Sequence, residues 1–287
     1  SRSVLREHDI GPARNGANCK RASVMSIPKA ALRAGREARG HSTMASFQAW
    51  AAEVTELPPR GDLCHLVLVR HGETQWNAEG RMQGQLDIAL NDVGRRQAQG
   101  FAKYLVHCGL ADHVAAVVSS DLSRARETAD LIAEVCPNPV RRMDSRLREV
   151  NTGDLQGLLV RDESVQKQAH AVKAAWDHGD FSRAYPGGEC ADGAMRRGLQ
   201  ALEDATRLGP IVLVVAHGGI MRLSAIGIEL RGLAPSATSM AFPNVVKVRQ
   251  APVTNCCCSV LKYSPTTRAF EPRMWFENTE KALDDTG

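Results

Sequence analysis

The sequence lacks the features that mark several classes of protein. No apolar run approaches the roughly 20 residues that a membrane-spanning helix needs. No stripe of basic residues interleaved with aromatics occurs, and the formal net charge is only +4. No cluster of carboxylates of the kind that holds Mg²⁺ is apparent. We therefore predict no membrane contact, no nucleic-acid partner, no metal ion and no other cofactor.

Pairs of cysteines with metal-binding or redox spacing are also absent. Cys256, Cys257 and Cys258 are consecutive, and the other five cysteines are scattered singly. No two of them have the Cys-x-x-Cys spacing that is typical of zinc sites and redox motifs. The cysteines are therefore predicted to be reduced thiols that pack as small core residues.

The first fifty residues are poor in acidic side chains. They hold seven Arg and two Lys against three acids. This composition is typical of an organelle transit peptide, which would direct the chain to a chloroplast or mitochondrion. The open alternative is upstream sequence ahead of a start at Met25 or Met44, with a cytoplasmic location. The segment 56–62, ELPPRGD, is typical of a linker, so ordered structure is expected to begin near Leu63.

Beyond this linker, short apolar runs alternate with amphipathic helical patterns. The hydrophobic fraction of 43% is enough for a packed core. Asn91 is predicted to cap a helix, and two further helical patterns follow along the chain. This alternation favours an α/β fold with a largely parallel sheet. Strands are predicted at 66–69, 114–118, 211–215 and 259–263.

Polar side chains follow three of these strands, at the point where each strand ends. The first strand is followed by Arg70 and His71, and the second leads into a helix that opens with Arg124. The third leads into His217 and two glycines. Because ligands of open parallel sheets bind at the carboxyl ends of the strands, two histidines and two arginines should converge there.

Such a convergence suits a phosphate group. Arginine presents a planar fork that matches phosphate oxygens and stays charged. A helix N-terminus offers free N–H groups, and Gly218 and Gly219 let an anion approach the backbone closely. A histidine among cations has a lowered pKa, so one imidazole can stay neutral and act as a nucleophile. These residues indicate phosphoryl transfer.

The sequence resembles the histidine phosphatase superfamily, also called the phosphoglycerate mutase-like family. The resemblance implies a three-layer α/β/α sandwich with a mostly parallel central sheet, and catalysis through a phosphohistidine. It runs from about Leu63 to Arg222, and the tail VTNCCCSVLKY resembles the family's closing strand. The matching segments are VRHGETQWNAEGRMQGQLDIALNDVGRRQA, SSDLSRARETA, LREVNTGDLQG, YPGGEC and VVAHGGIMR.

The resemblance also implies roles for single residues. His71 matches the nucleophile, and Glu149 matches the group that protonates the leaving oxygen and then activates water. Arg70, Arg124 and His217 match the phosphate pocket. The remaining substrate-binding positions are Asn77, Arg81, Gln83, Gly84 and Gly218.

Two choices stay open at this point. Glu73 lies close to the nucleophile in sequence and competes with Glu149 as the acid; only the resemblance favours Glu149. The second choice is between phosphatase and mutase. The motif RxQGxxD, which runs from Arg81 to Asp87, resembles the corresponding motif of the phosphatase branch rather than that of the glycolytic mutases. Within that branch the plant and algal members, some of them metal-independent phosphoserine phosphatases, are the most similar. Cys190 stands where many relatives have Ser after GGE.

We therefore predict a metal-independent phosphomonoester hydrolase for small phosphorylated metabolites, phosphoserine among them. The alternatives are a cofactor-dependent phosphoglycerate mutase and a non-catalytic module that binds phosphorylated ligands. The predicted partner is the substrate, and a homodimer stays open. The predicted organisation is an N-terminal extension over 1–62, either disordered or a transit peptide, a catalytic domain over 63–280 and a tail over 281–287.

Overall fold

The central element of the computed structural model is a six-stranded sheet, and the structure describes residues 44–56, 63–231 and 243–278. The strands, in chain order, are β1 (Cys64–Arg70), β2 (Ala116–Ser119), β3 (Val140–Met143), β4 (Ile211–Ala216), β5 (Cys258–Ser264) and β6 (Ala269–Glu277). They lie in the order β3-β2-β4-β1-β5-β6. All neighbours from β3 to β1 pair in parallel, whereas β5 is antiparallel to both β1 and β6. The mostly parallel sheet is confirmed.

Eight α-helices lie within the described residues. They are α1 (Met44–Glu56), α2 (Gln75–Glu79), α3 (Asp92–His107), α4 (Ser123–Ala133), α5 (Glu163–Asp177), α6 (Ala191–Ala205), α7 (Gly218–Arg231) and α8 (Pro243–Gln250). Asn91 caps α3 as predicted, since its side chain accepts a hydrogen bond from the Gly94 N–H. Within the part of the chain that the structure describes, no helix has the length and apolarity to span a membrane.

The two faces of the sheet bury separate hydrophobic clusters. Along β1, Leu66 and Leu68 pack with residues of α5 to α8, whereas Val67 and Val69 pack with residues of α1, α3 and α4. Successive side chains of a strand point to opposite faces, so the apolar residues 66–69 of β1 supply both clusters. This arrangement is the predicted three-layer α/β/α sandwich.

Helix α1 lies inside the segment that the sequence places in the N-terminal extension. Its buried residues Phe47, Trp50, Ala51 and Val54 join the cluster on the α3 and α4 side of the sheet. The Trp50 indole N–H donates to Nδ1 of His65 on β1, at 3.4 Å. Ordered structure was expected to begin near Leu63. That prediction is wrong, because α1 lies before Leu63 and packs on the sheet. Residues 1–43, the segment 57–62 and the predicted tail at 281–287 lie outside the described residues.

Two strands were not predicted, and both are edge strands. Two pairs of adjacent arginines in the sequence, Arg141-Arg142 and Arg196-Arg197, are typical of helix or loop surface. Arg141 and Arg142 lie instead on β3, whose four residues are all exposed. β6 contains Pro272 and alternates between exposed and partly buried positions over much of its length. Edge strands need no apolar run because one side has no neighbouring strand, so the hydrophobic pattern does not reveal them.

The predicted role of the cysteines is borne out for several of them. Cys64, Cys136, Cys257 and Cys258 are buried. Burial raises the pKa of Cys64 and of Cys257 to about 12, so both thiols stay protonated and pack as small core residues. Cys19 lies outside the described residues.

Candidate active site

The carboxyl ends of β1 and β4 and the start of α4 border one cavity. Its volume is about 650 Å³. Nine of the ten predicted site residues line the cavity: Arg70, His71, Asn77, Arg81, Gln83, Gly84, Arg124, Glu149 and Gly218. The tenth, His217, is fully buried behind the cavity, and the centre of its ring lies 5.1 Å from the ring centre of His71.

The His71 ring is held by the backbone of the next residue. Its Nδ1 lies 2.7 Å from the carbonyl oxygen of Gly72, and only a protonated Nδ1 can donate to a carbonyl. Nε2 is therefore the nitrogen with the free lone pair. A Cβ at Gly72 would overlap the backbone of Gly94 at the start of α3, so glycine is needed there for close passage.

His217 is held in the opposite tautomer. The Nε–H of Arg124 donates to its Nδ1 at 3.2 Å, so Nδ1 is the acceptor and Nε2 carries the proton. That Nε2 is buried and has no hydrogen-bond partner in the described structure. The pair therefore offers one nucleophilic lone pair, on His71, and one unused N–H donor, on His217.

Burial and neighbouring cations keep both rings neutral. Desolvation, followed by the charges of Arg124 and Arg70, lowers the pKa of His71 well below its ordinary value of 6.5. Desolvation and Arg124 also lower the pKa of His217 well below 6.5. At neutral pH His71 therefore keeps its lone pair.

We expect the stability of the protein to fall as the pH is lowered below about 6.5. The unfolded chain binds a proton on each imidazole in this range and the folded chain does not, so the free energy of unfolding decreases with falling pH and is level above it. The loss should be about 1 kcal/mol per histidine between pH 6.5 and 5.5. Urea unfolding at pH 7.5, 6.5 and 5.5 measures it.

The double variant His71→Asn/His217→Asn is the control for this effect, because asparagine does not titrate. It should lose less stability than the unaltered chain across the same interval. Part of the dependence should remain, since burial also lowers the pKa of His65. Equal slopes for the two proteins would contradict the assignment.

Two arginines bring positive charge to the histidines. Arg124, on the first turn of α4, is fully buried and donates from its terminal nitrogens to the carbonyls of Leu86 and Gly84, each at 2.8 Å. Burial lowers its pKa to about 10, so the guanidinium stays charged at neutral pH. Arg70 donates to the Val253 carbonyl at 2.5 Å, while its Nε is buried without a partner. Both guanidinium groups retain N–H donors for an anion.

The remaining predicted residues of the rim have definite partners. Asn77 and Thr74 cap α2 reciprocally, so Oδ1 of Asn77 accepts hydrogen bonds and its amino group is left as the donor for a ligand. Gln83 is buried and accepts from the Thr74 hydroxyl at 3.0 Å. Arg81 pairs with Glu79 and also donates to the Gly157 carbonyl. These residues stabilise the wall from which Asn77 and Arg81 face the cavity.

The side-chain carboxylate of Glu149 lies at the N-terminus of α7. Its Oε2 accepts from the Gly219 N–H at 3.0 Å, and its Oε1 accepts from Ile220 at 3.0 Å and from Val150 at 2.8 Å. A Cβ at Gly219 would overlap Oε1, which explains this glycine. The sequence predicted that these helix N–H groups meet the phosphate; in the structure they hold a carboxylate of the chain itself.

Glu73, the competing acid, does not line the cavity. Its Oε1 accepts from the Asn91 side chain at 2.8 Å, so its carboxylate is directed to the start of α3. Glu149 is the carboxylate that lies among the histidines and arginines. The geometry therefore supports the choice that the resemblance made.

Sequence reasoning missed the segment that precedes β5. The side-chain amino group of Asn255 donates to the His71 carbonyl at 2.9 Å, and Val253 holds Arg70. Because β5 runs antiparallel to its neighbour β1, its starting end lies beside the carboxyl end of β1. The polar pair Thr254-Asn255, which lies two residues before the buried strand β5, was the available signal.

Sequence reasoning also placed Arg197 on the surface. Its side chain is only 19% exposed and contacts the segment that carries Glu149. Among the described residues, no group of three or more His, Cys, Asp or Glu side chains could hold a metal ion.

Known proteins are similar to this chain. The model of the histidine phosphatase superfamily (branch 1) matches residues 66–273. A metal-independent phosphoserine phosphatase of Arabidopsis thaliana is 38% identical over 190 residues, which are 66% of this chain and 78% of the relative. Phosphoglycerate mutase-like protein 4 of the same plant is 42% identical over 164 residues, which are 56% and 69% of the two chains.

A solved structure shows the same relationship. The mycobacterial glucosyl-3-phosphoglycerate phosphatase in complex with VO3 is 30% identical, with a TM-score of 0.58, and the match covers 75% of this chain and all of that one. Since the family model matches residues 66–273, which are more than half of the chain, this chain belongs to the histidine phosphatase superfamily.

Proposed function

We propose that the chain hydrolyses small phosphomonoesters through a phosphohistidine intermediate on His71. The observation that carries this proposal is the pair of histidines held in complementary tautomers beside two charged arginines. Nε2 of His71 supplies the lone pair, and Nε2–H of His217 supplies a donor for a phosphate oxygen. Family membership and the phosphatase relatives support hydrolysis over binding alone.

In the first half-reaction Nε2 of His71 attacks phosphorus and the ester P–O bond breaks. Arg70, Arg124 and His217 donate to the phosphate oxygens and stabilise the charge that they carry in the transition state. The leaving alkoxide takes a proton from the Glu149 carboxyl group and departs as an alcohol. The products of this step are the free alcohol and a phosphohistidine.

In the second half-reaction water attacks the phosphohistidine. Glu149, now a carboxylate, accepts a proton from the water, and the P–N bond breaks. The electron pair returns to Nε2 of His71, and inorganic phosphate leaves. Both charge stabilisation and proton transfer use groups of the chain, so we expect activity to survive EDTA.

The outer part of the cavity points to a substrate with further charges. Lys173 and Asp177 lie one turn apart on α5 and both line the cavity. Two of the relatives are named for phosphoserine and glucosyl-3-phosphoglycerate, compounds that carry a carboxylate near the phosphate. We propose that Lys173 attracts the carboxylate of the substrate, whereas Asp177 is already paired with Arg249 at 2.8 Å.

Replacing Lys173 with methionine should lower kcat/KM for L-phosphoserine by about 5- to 10-fold and leave that for ethyl phosphate unchanged. The reason is that only phosphoserine has a carboxylate for the ammonium group to attract. Release of inorganic phosphate in the presence of EDTA measures both reactions.

Lys167→Met is the matched control, because Lys167 lies on the same helix and does not line the cavity. Equal activity of Lys173→Met and Lys167→Met on phosphoserine would contradict the role of Lys173. Incubation with 3-phosphoglycerate and 2,3-bisphosphoglycerate tests the mutase alternative. Isomer formation in excess of phosphate release would overturn the proposal of a hydrolase.

A further inference from the structure

Glu149 lies in a segment without a regular element of its own. A single 3-10 turn, Ser145–Leu147, precedes it, and another, Gly153–Leu155, follows. A backbone outside helices and strands must satisfy its carbonyl groups elsewhere. A group that transfers a proton must also be held within a fraction of an ångström of its working position. Something outside the segment must therefore hold it.

One side chain satisfies three carbonyls of this segment. Arg197, on α6, donates from one terminal nitrogen to the carbonyls of Arg146 at 2.7 Å and Arg148 at 2.6 Å. Its other terminal nitrogen donates to the carbonyl of Glu149 itself, at 3.0 Å. The planar guanidinium thus bridges the backbone directly at the proposed acid.

Glu189 completes this contact. It pairs with Arg197 through both carboxylate oxygens, at 2.5 and 3.1 Å. Its Oε1 also accepts from the Asn151 N–H at 2.7 Å, and the Asn151 carbonyl accepts from the Glu189 N–H at 3.0 Å. The two side chains are only 19% and 22% exposed, so water screens the pair less than it screens a surface ion pair. The backbone on both sides of Glu149 is held by the same pair.

The carboxyl group of Glu149 and its backbone are held by different elements. The carboxyl group rests on the N–H groups of Gly219 and Ile220 at the start of α7. The backbone carbonyl receives Arg197 from α6 and the side chain of Gln85, which donates at 3.0 Å. Loss of Arg197 should therefore shift Glu149 relative to the histidines without removing the carboxyl group from the cavity.

We propose that Arg197, braced by Glu189, is a positioning residue that places Glu149 for protonation of the leaving group. This inference rests on the proposed function, in which Glu149 is the acid. It concerns a side chain that does not line the cavity and contacts Glu149 at its backbone carbonyl.

The dependence of kcat/KM on the leaving group tests the inference. An aryl leaving group departs as a stable phenolate and needs little protonation, whereas the alkoxide of phosphoserine needs a proton from the acid. We expect Arg197→Lys, which lacks the planar fork, to lower kcat/KM for phosphoserine on the order of 10²-fold. For p-nitrophenyl phosphate the loss should stay within about 3-fold.

The neighbouring arginine provides the matched control. Arg196 is 65% exposed and pairs with Asp192 on the same helix, so Arg196→Lys should leave both rates unchanged. Glu149→Gln should show the same preference for the aryl substrate as Arg197→Lys, with a larger loss on phosphoserine. Glu189→Gln retains the carbonyl contacts of Arg197 and should give a smaller loss of the same kind. Glu189→Gln therefore tests the Arg197–Glu189 pair even if Arg197→Lys does not fold.

Two results would overturn the inference, and they are distinguishable. If Glu149→Gln is selective but neither Arg197→Lys nor Glu189→Gln is, the pair is structural only and the proposed acid stands. If Glu149→Gln itself affects both substrates equally, Glu149 is not the acid, and this part of the proposed function fails together with the inference.

Discussion

Replacing His71 with asparagine is expected to lower kcat on the order of 10⁴-fold or more, because it removes the nucleophile. Asparagine can still donate from its side chain to the Gly72 carbonyl, as Nδ1 of His71 does. The fold should therefore survive, and the melting temperature should change little at pH 7.5. Release of phosphate from p-nitrophenyl phosphate measures the loss.

Trapping of the intermediate identifies the reacting nitrogen more directly. The unaltered chain, quenched during turnover of radiolabelled substrate, should retain label that is stable to base and labile to acid. His71→Asn should retain none. His170→Asn is the control, since His170 is exposed on α5 and does not line the cavity. Label on His71→Asn would exclude His71 as the phosphoryl acceptor.

Replacing Arg124 with methionine is expected to lower kcat/KM by about 10³- to 10⁵-fold. Burial lowers the pKa of this arginine to about 10, so the substitution removes a full positive charge from the cavity at neutral pH. It also removes the Nε–H that holds Nδ1 of His217, so the ring loses its fixed tautomer. Both losses weaken stabilisation of the transferred phosphoryl group.

Arg126→Met separates this effect from a general effect of charge on α4. Arg126 lies two residues along the same helix and is exposed, so its replacement should leave kcat/KM within about 2-fold. Inorganic phosphate, titrated calorimetrically, should bind Arg126→Met as it binds the unaltered chain and should bind Arg124→Met much more weakly. Equal phosphate affinity for the two variants would show that Arg124 does not contact the phosphate.

Much of the fold could be predicted because its central strands are buried on both faces. β4 and residues 66–69 of β1 are uninterrupted runs of apolar residues, and runs of this kind are visible without knowledge of their neighbours. Helix α1 had a readable signal as well, since Phe47, Trp50, Ala51 and Val54 follow helical spacing. The basic composition around it obscured that pattern. The edge strand β3 had no such signal because all of its residues are exposed.

The residue types of the site were also present in the sequence. His71, Arg124 and His217 follow the ends of predicted strands, and the parallel arrangement of those strands brings them to one edge. Chemistry that depends on which side chains meet at a sheet edge can therefore be inferred from strand order alone.

Tertiary structure decided what each of these side chains can do. The tautomers of His71 and His217 depend on a carbonyl and a guanidinium that contact them in space, and no local pattern encodes these contacts. The choice between Glu73 and Glu149 depended on which carboxylate faces the cavity, and the surface assignment of Arg197 failed for the same reason. The sequence by itself determined the strand ends and the set of reactive groups, because burial and periodicity are local properties. The protonation, orientation and support of those groups are set by residues distant in the chain, so only the folded structure could decide them.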